Sequence, residues 1–234
     1  IQIAYLVGLP QLLPCNPDIK VHPIDISKDP FGFIRGYMRL MKIIKDFNPD
    51  VVHSHMVHAN LLARLVRPTA KIPRLVCTAH NINEGGRHRM LAYRLTDPLA
   101  DIFTNVSKEA AEAFEAKGAA PVGRILTMHN GIDVQKFSPD CMNREIYRKL
   151  FEAGCNKIIL AVGRLSEQKD YPNLLNSFSI IAKKSRNIKL WIVGDGPLRA
   201  SLERLAADLG LSERTKFLGT RPDSQIPGLM RAAD

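Results

Sequence analysis

Two basic residues, Arg164 and Lys169, lie at the ends of a short polar segment of the sequence. The segment follows an apolar run at 158–162 that is typical of a buried parallel strand and that ends at Gly163. A proline and an amphipathic stretch after it predict a helix, with Asp170 as its N-cap residue. Open α/β sheets bind ligands where a strand meets a helix N-terminus, so the two cations could hold a diphosphate. Two solvated cations on a surface loop would show the same pattern.

His80 ends a second predicted strand, at 74–80, and precedes a flexible loop that contains Gly85 and Gly86. The carboxyl ends of parallel strands line the crevice of an open α/β sheet. A histidine in that place could donate a hydrogen bond to a substrate hydroxyl or assist a leaving phosphate. Position alone does not separate this catalytic hypothesis from a structural histidine.

Three further histidines, His53, His55 and His58, raise the question of a metal site. His53 and His55 point to the same face of a predicted strand, which would allow two ligands. No nearby carboxylate or cysteine completes a tetrahedral set. We therefore predict no metal, and we interpret these residues as strand-end histidines at a polar crevice.

A glycine turn, Gly194-Asp195-Gly196, lies between a predicted strand and a helix that we expect to begin at Pro197. It matches two thirds of a dinucleotide-binding fingerprint, but Arg199 occupies the position of the third glycine. The pattern therefore disfavours an NAD-dependent oxidoreductase. The two glycines are better explained by a strand-to-helix turn whose backbone passes close to a ligand.

The elements that must position these residues alternate along the chain. Short strands alternate with helices, which predicts an α/β fold with parallel sheets covered on both faces. The alternation stops after Asn130 and Gly131, gives way to a polar stretch, and resumes at residue 158. We therefore predict two domains, 1–130 and 131–234, with Asn130 and Gly131 as the hinge between them.

The 234-residue chain has a formal net charge of +10, and it has no run of about 18 apolar residues that could span a membrane. Its four cysteines form no C-x-x-C pair, which favours reduced thiols and a cytoplasmic location. The positive charge suits an anionic ligand, an anionic membrane surface or a nucleic acid. No nucleic-acid-binding motif accompanies it, so we expect no nucleic-acid partner, and a generally basic surface explains most of the charge.

Taken together, several motifs resemble those of glycosyltransferase family 4, a group of retaining enzymes with the GT-B fold. Val162-Gly163-Arg164-Leu165, with Lys169 after it, resembles the "GRL…KG" signature of that family. The other matching stretches occur in the expected order along nearly the whole chain, at 49–55, 78–80, 130–133 with Phe137, 193–198 and 217–219.

The resemblance implies two Rossmann-like domains, an acceptor-side domain at 1–130 and a nucleotide-sugar-binding domain at 131–234. It implies that Arg164 and Lys169 bind the donor diphosphate and that His80 contacts the transferred sugar near the reaction centre. It also implies that a set of loop residues lines the donor site, namely Gly163, Gly194, Asp195 and Gly196.

The resemblance further implies that a sugar moves from a nucleotide-diphosphate sugar to a glycan or lipid-linked acceptor, with retention and without a metal, as in polysaccharide biosynthesis. We expect no cofactor besides this donor, and we expect UDP rather than GDP as its nucleotide. Two alternatives remain open. One is a non-catalytic nucleotide-binding fragment, and the other, less favoured, is an NAD-dependent oxidoreductase.

The sequence begins within a predicted strand, without an initiator Met, and closes on a predicted helix. Members of the family carry a further N-terminal strand with a glycine-rich loop, and a pair of glutamates beyond the position of Asp234. We therefore expect a fragment, truncated at the start of its first domain and at the end of its second. We expect the fragment itself to be inactive and its full-length parent to be active.

The segment 85–94 places Arg87, Arg89 and Arg94 among apolar residues such as Met90. Two hypotheses remain open for it. Basic and apolar side chains could share an exposed flank that rests on an anionic membrane at its cytoplasmic face. Alternatively, the apolar side chains pack on the sheet while the arginines are solvated.

Overall fold

The computed structural model describes four segments of the chain, 1–10, 13–27, 29–139 and 144–234. They form two compact units, Ile1–Gly131 and Ile132–Asp234. In each unit parallel β-strands alternate with α-helices, so the predicted α/β fold is confirmed.

Within the described residues, the first unit contains two parallel sheets. Its strands are β1 (Gln2–Tyr5), β2 (Lys20–Pro23), β3 (Val51–His55), β4 (Arg74–Ala79), β5 (Ile102–Asn105) and β6 (Ile125–Thr127). Its helices are α1 (Pro30–Phe47), α2 (Val57–Ala70), α3 (Arg87–Thr96) and α4 (Lys108–Ala116). β1 pairs with β2, and the larger sheet has the order β3–β4–β5–β6. The carboxyl ends of its four strands therefore lie along one edge.

Local sequence signals account for several helix ends in this unit. Asp29 precedes α1 and accepts a hydrogen bond from Gly32 N at 2.8 Å. Asn48 ends the same helix in the left-handed conformation. Ser107 caps α4, because its side chain accepts from a backbone amide of the first turn. Such caps satisfy amide groups that a helix start leaves without partners.

A buried arginine joins α2, α3 and the larger sheet. The guanidinium carbon of Arg64 lies 5.1 Å from the ring centre of Tyr93 and 4.6 Å from that of Phe103. Arg64 Nη1 also donates to the Tyr93 carbonyl oxygen at 3.0 Å. Because Tyr93 belongs to α3 and Phe103 to β5, this packing fixes α3 against the sheet.

The second unit has a three-stranded parallel sheet in the order β7–β8–β9. Its strands are β7 (Lys157–Val162), β8 (Ile188–Val193) and β9 (Thr215–Gly219). Its helices are α5 (Arg144–Leu150), α6 (Tyr171–Lys184), α7 (Arg199–Asp208) and α8 (Ile226–Ala232). Leu175 and Leu202 belong to one buried apolar cluster of the unit, whereas Trp191 and Leu229 belong to another. Apolar clusters on the two faces explain why the strands are continuous apolar runs.

The polar stretch before β7 contains α5, a helix that the sequence did not predict. Arg144 Nη1 donates to the carbonyl oxygen of Arg231 at 2.6 Å, and Arg148 Nη1 donates to that of Ala232 at 2.9 Å. Both acceptors belong to α8. The helix is therefore held by contacts that are distant in the sequence, which local patterns do not reveal.

Two helix starts also differ from the prediction. α7 begins at Arg199 rather than at Pro197, because Leu198 donates its amide to Leu165 O at 3.1 Å in the neighbouring loop. Asp170 precedes α6 as predicted, but it adopts the left-handed conformation and its side chain makes no capping hydrogen bond. Its amide instead closes a short 3-10 turn by donating to Glu167 O at 3.1 Å.

Candidate functional site

The carboxyl ends of β3 and β4 bring three histidines together. His53 and His55 lie on one face of β3, and His80 follows the last residue of β4. The ring centres of His53 and His55 are 4.1 Å apart, and those of His55 and His80 are 5.1 Å apart. These three residues are called the histidine cluster below.

Hydrogen bonds connect the histidine cluster internally and to the sheet. His55 Nδ1 and His80 Nε2 are 2.9 Å apart. His53 Nε2 lies 2.7 Å from Thr78 Oγ1, which lies 2.8 Å from Thr104 Oγ1. Partial burial, together with charge on the neighbouring histidines, lowers the pKa of His53 and the pKa of His55. Both side chains therefore favour the neutral imidazole.

A buried carboxylate holds the backbone beside His80. Glu84 Oε1 accepts from His80 N at 3.2 Å, and Glu84 Oε2 accepts from the Tyr93 hydroxyl at 2.7 Å. Asn60 Nδ2 donates to the same hydroxyl at 3.1 Å. Burial, followed by the charge of Glu84, raises the pKa of Tyr93, so the phenol stays protonated and donates. The loop that the sequence predicted to be flexible is therefore tied to α2 and α3.

The described residues contain no group of three His, Cys, Asp or Glu side chains that is arranged to hold a metal ion. His58 is exposed on α2 and makes no contact with the histidine cluster among the hydrogen bonds and ring pairs found there. The ring nitrogens of the histidine cluster instead form hydrogen bonds with a threonine hydroxyl and with one another.

The cation pair, Arg164 and Lys169, lies on the loop after β7. Both side chains are exposed, and neither makes a hydrogen bond or an ion pair with another described residue. The Lys169 stem passes over Gly163, with its Cε 3.9 Å from the place where a β-carbon on Gly163 would stand. Tyr171 holds the strand end by donating its hydroxyl to Gly163 O at 3.1 Å. Two cations thus remain available to an anion at the carboxyl end of a parallel strand.

The glycine turn packs directly on this loop. Gly194 has a φ of +130°, and a β-carbon there would overlap the carbonyl oxygen of Gly163. A β-carbon on Gly196 would overlap the carbonyl oxygen of Leu165. Leu165 N in turn donates to Asp195 O at 3.0 Å. Backbone contact between the two loops therefore explains both glycines, where the sequence had suggested close approach to a ligand.

The carboxylate of Asp195 is already satisfied within the turn. It accepts from Gly196 N at 2.7 Å and from Arg199 Nη1 at 2.9 Å, and these contacts lower the pKa of Asp195. Arg199 Nε also donates to Glu203 Oε1 at 2.9 Å. Two carboxylates thus pair with Arg199, whereas Arg164 and Lys169 have no carboxylate partner among the described residues.

Asn130 and Gly131 follow β6 in a segment without regular secondary structure. A β-carbon on Gly131 would meet no other atom within 4 Å, so packing does not fix the backbone there. The division between the two units falls directly after Gly131. The role of these two residues as a hinge stays a prediction.

The basic helix α3 differs from the prediction in its apolar side chains. Met90 is 2% exposed and packs in the core, whereas Leu91 and Leu95 are 57% and 72% exposed. Arg87 and Arg94 are exposed on the same helical face as these leucines. Met90 therefore packs in the core, as the second hypothesis held, whereas the two leucines leave a basic and apolar flank exposed, as the first hypothesis required. Among the described residues, no helix combines the length and the apolar character that crossing a bilayer requires.

Several residues of this site were not predicted from the sequence. Glu84, Tyr93 and Asn60 stood in a loop or in helices, where nothing marked them as partners of His80. His55 was interpreted as a strand-end histidine at a polar crevice, without a contact to His80. One signal was available, because two apolar runs that would form neighbouring parallel strands both end in histidine.

Comparisons with known proteins identify the family of this chain. A family model described as "Glycosyl transferases group 1" matches residues 142–234, and one described as "Glycosyltransferase Family 4" matches residues 7–136. The Anabaena protein HepE, solved in complex with UDP, superposes with a TM-score of 0.79 over 92% of this chain and 59% of its own, at 21% identity. This similarity shows the fold, which is the GT-B arrangement of two Rossmann-like domains predicted from the sequence.

Two curated relatives show the range of similar proteins. The Escherichia coli UDP-Gal:alpha-D-GlcNAc-diphosphoundecaprenol alpha-1,3-galactosyltransferase is 26% identical over 90% of this chain and 56% of its own length. The GDP-mannose-dependent alpha-(1-6)-phosphatidylinositol monomannoside mannosyltransferase of Mycolicibacterium smegmatis is 28% identical over 58% of this chain and 35% of its own length. The chain spans about half the length of the curated relatives it matches first. Because the match to residues 7–136 alone covers more than half of its 234 residues, this chain belongs to glycosyltransferase family 4.

Proposed function

We propose that the whole protein transfers a sugar from a nucleotide-diphosphate sugar to a glycan or lipid-linked acceptor. The observation that carries this proposal is the cation pair, since Arg164 and Lys169 are exposed beyond β7 and pair with no described carboxylate. Membership of the family supports it. The UDP bound to HepE and the UDP-sugar in the name of the E. coli relative support it as well.

The proposed reaction needs positive charge where the diphosphate departs. Negative charge grows on the diphosphate oxygen as its bond to the anomeric carbon breaks. Arg164 and Lys169 would neutralise that charge, a task that a divalent metal performs in other enzymes. We therefore propose that transfer needs no metal and no cofactor besides the donor. We also propose that attack and departure use the same face of the sugar, with retention.

For His80 we propose a contact with the transferred sugar. The side chain is half-buried at the end of β4 rather than enclosed in the sheet, so one side of the ring remains open. Glu84 fixes the backbone beneath it, and His55 meets the ring at Nε2. A fixed polar group of this kind can orient a sugar hydroxyl for reaction.

For the nucleotide we propose UDP. HepE binds UDP, whereas the name of the M. smegmatis relative specifies GDP-mannose. A competition titration of UDP against GDP on the whole protein decides between them, and tighter binding of GDP would contradict the proposal.

We further propose a cytoplasmic enzyme that touches an anionic membrane at its cytoplasmic face. The named acceptor of the E. coli relative is a diphosphoundecaprenol, which is a lipid. One face of α3 is a basic and apolar surface suited to such a membrane. It consists of Arg87, Leu91, Arg94 and Leu95. We call these four residues the α3 flank.

A transfer assay on the whole protein tests the proposed reaction. UDP-sugars and lipid-linked glycans are incubated with excess EDTA, and the anomeric configuration of the product is assigned by NMR. We expect transfer with retention in the presence of EDTA. A product of inverted configuration, or transfer that stops with EDTA, would contradict the mechanism.

Substitution of the cation pair provides the matched comparison. Arg164→Ala and Lys169→Ala each remove a charge-assisted contact of about 1.5–3 kcal/mol, so each should lower turnover by about 10- to 100-fold. Lys184→Ala and Arg186→Ala change exposed cations near the end of α6 and should leave turnover unaltered. Turnover near that of the unmodified protein in all four variants would remove Arg164 and Lys169 from the site.

A further inference from the structure

The contact between His55 and His80 constrains which ring nitrogen carries the proton in each imidazole. The bond joins His55 Nδ1 to His80 Nε2 at 2.9 Å, so one of these two nitrogens must donate. A neutral imidazole has one N–H and one acceptor nitrogen. The direction of the bond therefore fixes the tautomer of both rings.

One of the two directions is chemically favoured. A free neutral histidine prefers its proton on Nε2. If His80 Nε2–H donates to His55 Nδ1, both rings adopt that preferred form, and the opposite direction places both in the less favoured form. Partial burial and the adjacent histidines lower the pKa of His55, so its ring favours the neutral form, in which one nitrogen can accept. The remaining N–H of His55 then lies at its Nε2, for which no partner is found among the described residues and which the exposed side chain leaves to water.

We propose that His55 is a positioning residue that holds His80 through Nε2–H, so that His80 meets the substrate through Nδ1. No described residue makes a hydrogen bond to His80 Nδ1, whereas the His80 backbone amide is held by Glu84 Oε1 at 3.2 Å. The tautomer rests on this contact and on the preference of a neutral histidine for Nε2–H, and it does not depend on the proposed function. The part that concerns the substrate rests on the proposed function.

The assignment determines what His80 offers to a sugar nucleotide. While His80 is neutral, Nδ1 is an acceptor and can orient a sugar by accepting from a hydroxyl group. When His80 is protonated, Nε2–H still donates to His55, and Nδ1–H becomes a donor toward an anionic oxygen. Three titratable groups act on the surroundings of His80: His55 contacts its ring, His53 interacts with its charge, and the Glu84 carboxylate accepts from its backbone amide. Protonation therefore changes the chemistry of one atom, Nδ1.

NMR of the chain labelled with ¹⁵N-histidine tests the tautomer without any activity. Two-bond ¹H–¹⁵N correlations, recorded at a pH where the imidazoles are neutral, report which ring nitrogen carries each proton. We expect protonated Nε2 and unprotonated Nδ1 in both His55 and His80. A proton on His80 Nδ1, or an average over both nitrogens, overturns the proposal.

Two substitutions of His55 test its positioning role in the whole protein. His55→Asn places an amide oxygen near the position of Nδ1 and should retain the bond, whereas His55→Phe removes the acceptor. We expect kcat to fall about five- to tenfold in His55→Phe, with little change in the KM of the donor, and to recover in His55→Asn. His58→Phe, at an exposed position on α2, is the control and should leave kcat unaltered.

The outcomes separate this inference from the proposed function. An equal loss of kcat in His55→Phe and His55→Asn would indicate a merely structural role for His55, and an unaltered kcat in His55→Phe would exclude any role. A whole protein that transfers no sugar would refute the proposed function, while the NMR correlations would still decide the tautomer.

Discussion

Among single residues, Glu84 shows how a buried group can set the position of an exposed one. It is 5% exposed, and its two carboxylate oxygens accept from the His80 amide and from the Tyr93 hydroxyl. An acidic residue beside two glycines is usually solvated, so the sequence indicated an ordinary loop. The partner that overrides this expectation, Tyr93, lies one element further along the chain and could not be inferred from spacing.

We predict that Glu84→Ala destabilises the fold. The substitution leaves the buried Tyr93 hydroxyl and the half-buried His80 amide without this acceptor, which should lower the free energy of unfolding by about 1–3 kcal/mol. Urea denaturation of the variant and of the unmodified chain measures the difference. Glu112→Ala is the control, because its carboxylate is exposed on α4 and lies 3.8 Å from Lys108 Nζ. Equal stability of the two variants would show that Glu84 does not anchor the loop.

At the scale of elements, the loop after β7 and the glycine turn after β8 pack against each other. Gly194 and Gly196 allow the turn after β8 to contact the backbone of the loop after β7. The sequence located both turns, because each follows a continuous apolar strand and contains glycine. It could not show that the turns touch each other, since hydrophobic periodicity defines elements and not the contacts between their loops.

Two glycine substitutions test the importance of this contact. Gly196→Ala places a β-carbon against Leu165 O, and the loop that carries Arg164 must move. We expect a loss of stability of about 1–3 kcal/mol and weaker binding of UDP by the whole protein. Gly210→Ala is matched to it, because Gly210 has a φ of +69° and open space around it. Gly210→Ala should lower the stability by about 1–2 kcal/mol, because alanine is strained in the left-handed conformation, and the variant should bind UDP normally. Equal UDP affinities would contradict the account.

Some elements could be predicted from the sequence and others could not, for physical reasons. The strands expected at 158–162 and 74–80 agree within one residue with Lys157–Val162 and Arg74–Ala79, because apolar runs bounded by polar residues or glycine define buried strands locally. α5 was missed because it has seven residues and is held by arginine contacts to α8. The histidine cluster was missed as a unit because the pairing of β3 with β4 brings His55 and His80 together across 25 positions.

At the scale of the whole molecule, the candidate residues are distributed over two units. His55, His80 and Glu84 belong to Ile1–Gly131, whereas the cation pair belongs to Ile132–Asp234. The positions of His80 and of the cation pair in the sequence led to two separate hypotheses. Only the resemblance to the family connected these residues in one reaction. The family matches confirm that resemblance, while the roles of the individual residues remain proposals.

The α3 flank leads to a prediction about membrane binding. We expect the whole protein to float with liposomes that contain anionic lipid and to be released as salt rises, because each surface cation contributes about 1 kcal/mol. Arg87→Ser with Arg94→Ser should abolish flotation, whereas Lys183→Ser with Lys184→Ser on α6 should not. Arg89 is excluded from the test, because it donates to Glu84 O at 2.7 Å and supports the loop. A protein that stays in solution at low salt would refute the membrane contact.

Calorimetric titration of the whole protein with UDP and with uridine measures whether Arg164 and Lys169 bind the donor diphosphate. We expect Arg164→Ala with Lys169→Ala to weaken UDP binding by at least about 100-fold, since two charge-assisted contacts are lost. The affinity for uridine, which has no diphosphate, should stay the same. An unaltered UDP affinity in this variant, or an equal loss in Lys184→Ala with Arg186→Ala, would contradict the claim.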